Sequence, residues 1–245
     1  MIFSENTKEN AMQIPLKILM VMLLLIYLPC CASTQSAPAK QSSPDENPNE
    51  ADTAERAQML IATSLQDEMH GNHQTAFDKR KEALALARKI QHHGLEIMAL
   101  VGIATSYRTE NSFKKALSYY LQAEAIVITY MGEETPTIIF ILSSIGRAYE
   151  ELGDFTNAIS YHKRAIEISN KTQGVQNSET LGAMEDLGRA WFRYGKYNES
   201  LAACEEAQFW YTKLNRQNDP AFQRLAGCIA ESKAYLSNSN REQSY

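Results

Sequence analysis

The chain has 245 residues, enough for one or two domains, and 44% of them are hydrophobic, an ordinary share for a water-soluble fold. Its formal net charge of −5 excludes a general nucleic-acid binder, which needs a basic face to displace counterions.

Residues 1–17 are polar, with Lys8 and Lys17 balanced by Glu5 and Glu9. The run from Ile18 to Leu28, ILMVMLLLIYL, is too short for a comfortable membrane span and suits the apolar core of a signal peptide. Leu28-Pro29-Cys30-Cys31-Ala32-Ser33 follows and resembles the lipobox of bacterial lipoproteins. Leu28 stands three before Cys31, which fits best as the lipid-bearing residue. Pro29 and Cys30 depart from the usual choices, so Cys30 stays open as the modified residue. The resemblance implies a signal peptide over 1–30 and several acyl chains, palmitate among them, on the mature N-terminus. Several chains give stable anchoring, at ~0.8 kcal/mol per buried CH₂. With no Asp after Cys31, it further implies transport to an outer membrane, facing the periplasm. An uncleaved inner-membrane anchor and a secreted protein are the alternatives.

Residues 31–52 carry no aromatic and no aliphatic side chain beyond alanine, so the stretch reads as a disordered tether. From Thr53 to Leu236 the apolar residues recur at three and four residue steps, the face of an amphipathic helix, in segment after segment. The helices fall at 53–67, 75–90, 94–108, 113–130, 136–152, 155–171, 179–194, 197–214 and 220–236, with a polar tail over 237–245. Short loops make each pair antiparallel neighbours.

The clearest pair is IGRAYEELGDFTNAISYHKRAI, and its neighbour 42 residues on is LGRAWFRYGKYNESLAACEEA. Small residues recur in register: Ala104, Gly146, Gly188; Ala116, Ala158, Ser200; Ala123, Ala165, Ala207. They let helix axes approach, and aromatics (Tyr107, Tyr149, Trp191; Phe113, Phe155, Tyr197) are expected to fill the gaps beside them. Helix starts repeat as well. Thr135-Pro136 and Asp219-Pro220 read as an N-cap followed by proline, with Asn177, His93 and Thr53 in the matching places. A weaker first copy holds Ser64, Asp67, Gly71, His73, Ala76 and Ala83. Self-similarity of this length signals a solenoid. The pattern resembles the tetratricopeptide repeat, in the 42-residue variant typified by kinesin light chain. It implies an all-α superhelix of four helix pairs, over about 53–92, 93–134, 135–176 and 177–218, closed by a capping helix at 219–236.

No nucleotide loop, metal motif or nucleophile constellation stands out, and the sequence points to no enzyme, cofactor, metal site or small-molecule substrate. His70, His73, His92 and His93 read as turn and surface residues, His162 as packing, and Glu150-Glu151 as solvated helix charge. Cys204 and Cys228 admit two readings: a disulfide between neighbouring helices or two small buried hydrophobes. In the family resembled, the first helix of each pair lines a concave surface that grips a partner protein or peptide. Carried across, that surface contains Arg108, Arg147, Glu150, Glu185, Arg189 and Arg193. Its arginine row is expected either to receive carboxylates of an acidic peptide or to pair with local glutamates. The functional expectation is a lipid-anchored interaction scaffold. Alternatives are a peptide-sensing regulator or an accessory subunit of an envelope assembly or secretion complex.

Overall fold

A computed structural model of the protein describes residues 48–242. The signal peptide, the lipid-bearing cysteine and most of the tether lie outside the described residues, as do the last three residues of the tail. The described residues form helices only: α1 (Pro48–Met69), α2 (His73–Lys89), α3 (His93–Thr109), α4 (Phe113–Met131), α5 (Pro136–Glu151), α6 (Phe155–Thr172), α7 (Ser178–Arg193), α8 (Tyr197–Lys213) and α9 (Pro220–Glu242). Each helix packs on the next in chain order, and first helices also touch across pairs, α1 on α3, α5 on α7 and α7 on α9. The fold is the expected αα-solenoid of four pairs and a cap. It departs from expectation at its ends. Residues 48–52, read as tether, are the first turn of α1, and α9 runs six residues past Leu236. The C-terminal end carries no strong stop signal in the sequence, and at the N-terminal end Asn47-Pro48 repeats the cap-and-proline pattern with no large apolar residue before Met59.

One turn slot closes every pair. Gly71, Asn111, Gly153 and Gly195 occupy it, with φ of +80°, +58°, +77° and +78°. Glycine reaches this left-handed region freely, and asparagine is among the few side chains that tolerate it. Caps set the starts. Thr135 precedes Pro136 in extended conformation, although its hydroxyl makes no cap bond. Asn177 accepts from the Glu179 N–H at 2.7 Å, and Asp219 accepts from the Ala221 N–H at 2.9 Å. His93 is not the cap of α3; His92 is, its Nδ1 accepting from the Leu95 N–H at 3.2 Å.

All nine small-residue positions are buried, as their spacing demands. The six aromatics beside them are only half-buried, sealing the rims of the helix pairs rather than filling the core. The core consists of two clusters. One runs from Ala57 through Leu100, Ile103, Ile138, Ile139, Ile141 and Leu142 to Ala183; the other joins Leu181, Met184, Cys204, Ala207 and Tyr211 to Leu225 and Ile229 of the cap.

Close approach decides what each helical glycine tolerates. A Cβ on Gly146 would lie 2.5 Å from the His162 ring, whereas one on Gly182 meets nothing within 4 Å. Gly146→Val is therefore expected to destabilise by about 1–3 kcal/mol through overpacking. Gly182→Ala is expected to stabilise by roughly 0.5–1 kcal/mol through helix propensity. Urea midpoints of the two variants check the contrast, and shifts of the same sign would refute it.

Candidate functional site

The first-helix face holds every predicted groove residue; five of them have charged partners, while the half-buried side chain of Arg108 has neither an ion pair nor a hydrogen bond among the described residues. Arg147 of α5 reaches Asp186 of α7, with Nε 2.8 Å and Nη2 2.7 Å from Oδ2. Arg189 donates to Glu150 from Nε at 3.2 Å and Nη2 at 3.1 Å, and its Nη2 also meets Asp186 Oδ1 at 2.8 Å. Arg193 donates to Glu151 at 2.9 Å and to Glu150 at 3.4 Å. Glu185 is held by Arg224 of the cap helix, at 2.5 and 3.0 Å. Three guanidiniums thus face three carboxylates, Glu150, Glu151 and Asp186, and this part of the face is neutral. The arginine side chains stay 34–43% exposed, while Glu150 and Asp186 are 1% and 3% exposed.

Glu150 is therefore a buried keystone and not the solvated helix charge expected of it. Burial by itself pushes its carboxyl up. The His162 hydrogen bond and the Arg189 charge outweigh burial and hold Glu150 below its ordinary value of 4.5. Burial likewise opposes the ionised form of Asp186, and Arg147 and Arg189 outweigh it, so this carboxyl also sits below its ordinary 3.8. With Glu150 ionised, the His162 Nε2, 2.9 Å from Glu150 Oε1, carries the proton and donates it. His162 is fully buried, and its Nδ1 has no partner among the described residues.

Sequence reasoning missed the slot to which His162 belongs. Arg80, Tyr120, His162 and Cys204 occupy it, spaced 40, 42 and 42 apart and none more than 3% exposed. Each lies on a second helix and ties that helix to first-helix neighbours. Arg80 donates to Ser64 Oγ at 3.1 Å, Ser106 Oγ at 2.6 Å and the Gly102 carbonyl at 3.3 Å, and pairs with Glu68. The Tyr120 hydroxyl lies 3.1 Å from Thr105 Oγ1. Cys204 is bonded to Cys228 of α9, across a Cα–Cα distance of 6.5 Å, which settles the choice between a disulfide and two free thiols. The register was visible in the sequence, but four chemically unlike residues in one slot do not announce a common role.

Among the described residues, no group of three or more His, Cys, Asp or Glu side chains is placed to hold a metal ion, and no helix is long and apolar enough to cross a membrane. Residues 137–208 match the tetratricopeptide repeat family model. The fold is similar to the kinesin light chain TPR-like repeats of Podosopora anserina, with a TM-score of 0.65 and 19% identity over 78% of this chain and 90% of that one. BtubC (BKLC) from P. vanneervenii is similar over the same shares, with a TM-score of 0.58 and 17% identity. So is a Rap protein complexed with Competence and Sporulation Factor, with a TM-score of 0.60 and 16% identity; 76% of this chain spans 54% of that one. No curated protein matches the sequence.

Proposed function

From a solenoid of tetratricopeptide repeats of the kinesin-light-chain type, we propose a non-enzymatic interaction scaffold whose first-helix face docks a partner protein or peptide. The carrying observation is that face itself. Successive helix pairs set side chains at a fixed interval along it, and Arg147 and Arg189 stand 42 residues apart, 42% and 43% exposed. A repeat stack presents such a face preformed, so docking needs little ordering of the scaffold. The proposal includes a lipid on Cys31 that holds the scaffold at a membrane of the cell envelope, with the outer membrane facing the periplasm as the first choice. The Cys204–Cys228 disulfide supports an oxidising compartment of that kind.

A second reading is a sensor whose curvature changes when a short peptide binds. It is favoured by the similarity to a Rap protein solved with a bound factor.

Photo-crosslinking in the native host tests the first reading. A photoreactive residue at Val101, on the first-helix row, is expected to capture a partner. One at Glu167 on α6, whose side chain is 65% exposed, is expected to stay free. Adducts confined to Glu167 would overturn the docking face. Mass spectrometry of the mature N-terminus on the same sample tests the anchor, and an unmodified residue upstream of Cys31 would remove it.

A further inference from the structure

The second helices carry an aromatic slot of their own. Phe77, Tyr119, Tyr161 and Ala203 occupy it, 42 residues apart, so the ring is missing from the fourth pair only. In the second and third pairs the slot's ring stacks on an aromatic of the first helix. Tyr119 lies on Tyr107 and Tyr161 on Tyr149, each with centroids 5.6 Å apart. In the fourth pair Ala203 has no ring to offer Trp191. Lys163 of α6 meets that indole instead, its Nζ 5.3 Å from the ring centroid.

Two further exchanges surround Ala203. One repeat earlier, Glu124 of α4 sits beside the Tyr161 hydroxyl and pairs with Arg164 at 2.5 Å. In the fourth pair Ile166 stands in the register position of Glu124, and Glu206 in that of Arg164. The ring, its acceptor and the cation are thus all replaced together, and a cleft of about 350 Å³ lies between α6, α7 and α8. Ile166, Met184, Leu187 and Ala203 line it with apolar surface. Of the charged groups at its edge, Glu167 is paired with Lys171 at 3.0 Å and Lys163 lies against Trp191. Glu206 has neither an ion pair nor a hydrogen bond among the described residues.

We propose that this cleft binds a small aromatic amine, its ring in the place that Tyr161 fills one repeat earlier and its ammonium on Glu206. The volume suits a single ring on a short chain, at the lower end of the range for small-molecule pockets. A flat ring recovers the apolar burial that Ala203 gives up. Charge selects an amine over an acid, since the unpaired group at the edge is a carboxylate and a net charge of −5 favours an approaching cation. The cleft shares no residue with the salt-bridge network of the first-helix face, so it stands apart from the docking proposal.

The test titrates the full chain with phenethylamine, and with phenylacetate and butylamine as controls for charge and ring. Phenethylamine is expected to bind with a Kd on the order of 1 mM and to shift the methyl resonances of Met184 and Ala203. Ala203→Tyr returns the ring and is expected to abolish the binding, while its urea midpoint stays at or above that of the wild type. Glu206→Lys, at an exposed position, keeps the test open should the tyrosine disturb packing. It puts a cation where the preceding repeat has one, and should make phenylacetate bind more tightly than phenethylamine. The proposal is overturned by absent Met184 shifts, by a preference that Glu206→Lys leaves unchanged, by binding that a folded Ala203→Tyr retains, or by phenylacetate or butylamine binding the wild type as tightly as phenethylamine. Binding of a lysine-phenylalanine-lysine tripeptide in place of phenethylamine would also overturn it, and would assign the cleft to a partner's side chain.

Discussion

Glu150→Ala is expected to lower the stability of the third and fourth pairs by about 3–5 kcal/mol, more than any other single change on the first-helix face. The substitution removes a 1% exposed carboxylate that satisfies His162 and Arg189 and contacts Arg193. Left behind are a buried imidazole with no partner on either nitrogen and two guanidiniums with diminished compensation. Glu150→Gln keeps an acceptor in place and should fall between the wild type and alanine. Urea unfolding followed with and without 0.5 M salt, on the order of a 4 Å screening length, separates this from a surface effect. The buried pair should hardly respond to salt. A loss below about 1 kcal/mol for the alanine variant would remove the keystone role.

The same network sets an acid limit. Glu150 and Asp186 are both held below their ordinary values, so their folded-state pKa values lie under their unfolded ones. Groups shifted in this direction stabilise the fold above their unfolded values and lose that contribution as pH falls through the folded ones. Stability of the third and fourth pairs should accordingly be level above about pH 4.5 and fall steadily below it. Glu150→Gln should flatten that fall.

The second large effect is expected at the disulfide. Cys228→Ser, or reduction of the wild type by dithiothreitol, should destabilise the chain by about 3 kcal/mol, the scale for closing a loop of this length. The bond spans 24 residues and joins α8 to α9, whose Leu225 and Ile229 cover the apolar side of the last pair. The loss should be concentrated at the C-terminal end, with faster amide exchange in α9 and little change in α1 to α4. Uniform loss across the chain, or none, would contradict it. Dithiothreitol should leave Cys228→Ser itself unaffected.

The path of the chain was legible because close helix packing imposes small residues, left-handed turn positions and caps at fixed intervals. Gly146 and Gly188, Gly153 and Gly195, and Thr135 and Asp219 each state one of those constraints locally. The end at Glu242 was not legible, because no cap or apolar step marks it; Asn47-Pro48 does repeat the cap-and-proline pattern, but no large apolar residue follows it until Met59 to mark a helix face. The electrostatics of the candidate site were half legible. The row of Arg147, Arg189 and Arg193 could be found from the sequence, and pairing with local glutamates was one of its two readings. That Glu150 and Asp186 are buried beneath the row depends on how far successive pairs rotate. Only the 39-to-43-residue offset, measured once the helices are in place, shows which charge meets which.

The slot shared by Arg80, Tyr120, His162 and Cys204 has a practical outcome at the bench. Although the backbone repeats, the last two of the four fasteners answer to different reagents. Acid reaches the third through the carboxylate beneath it, a thiol reagent reaches the fourth, and neither acts directly on the phenol of the second. An experimenter could loosen the last two rungs of this stack separately, choosing the rung by the bottle rather than by mutation.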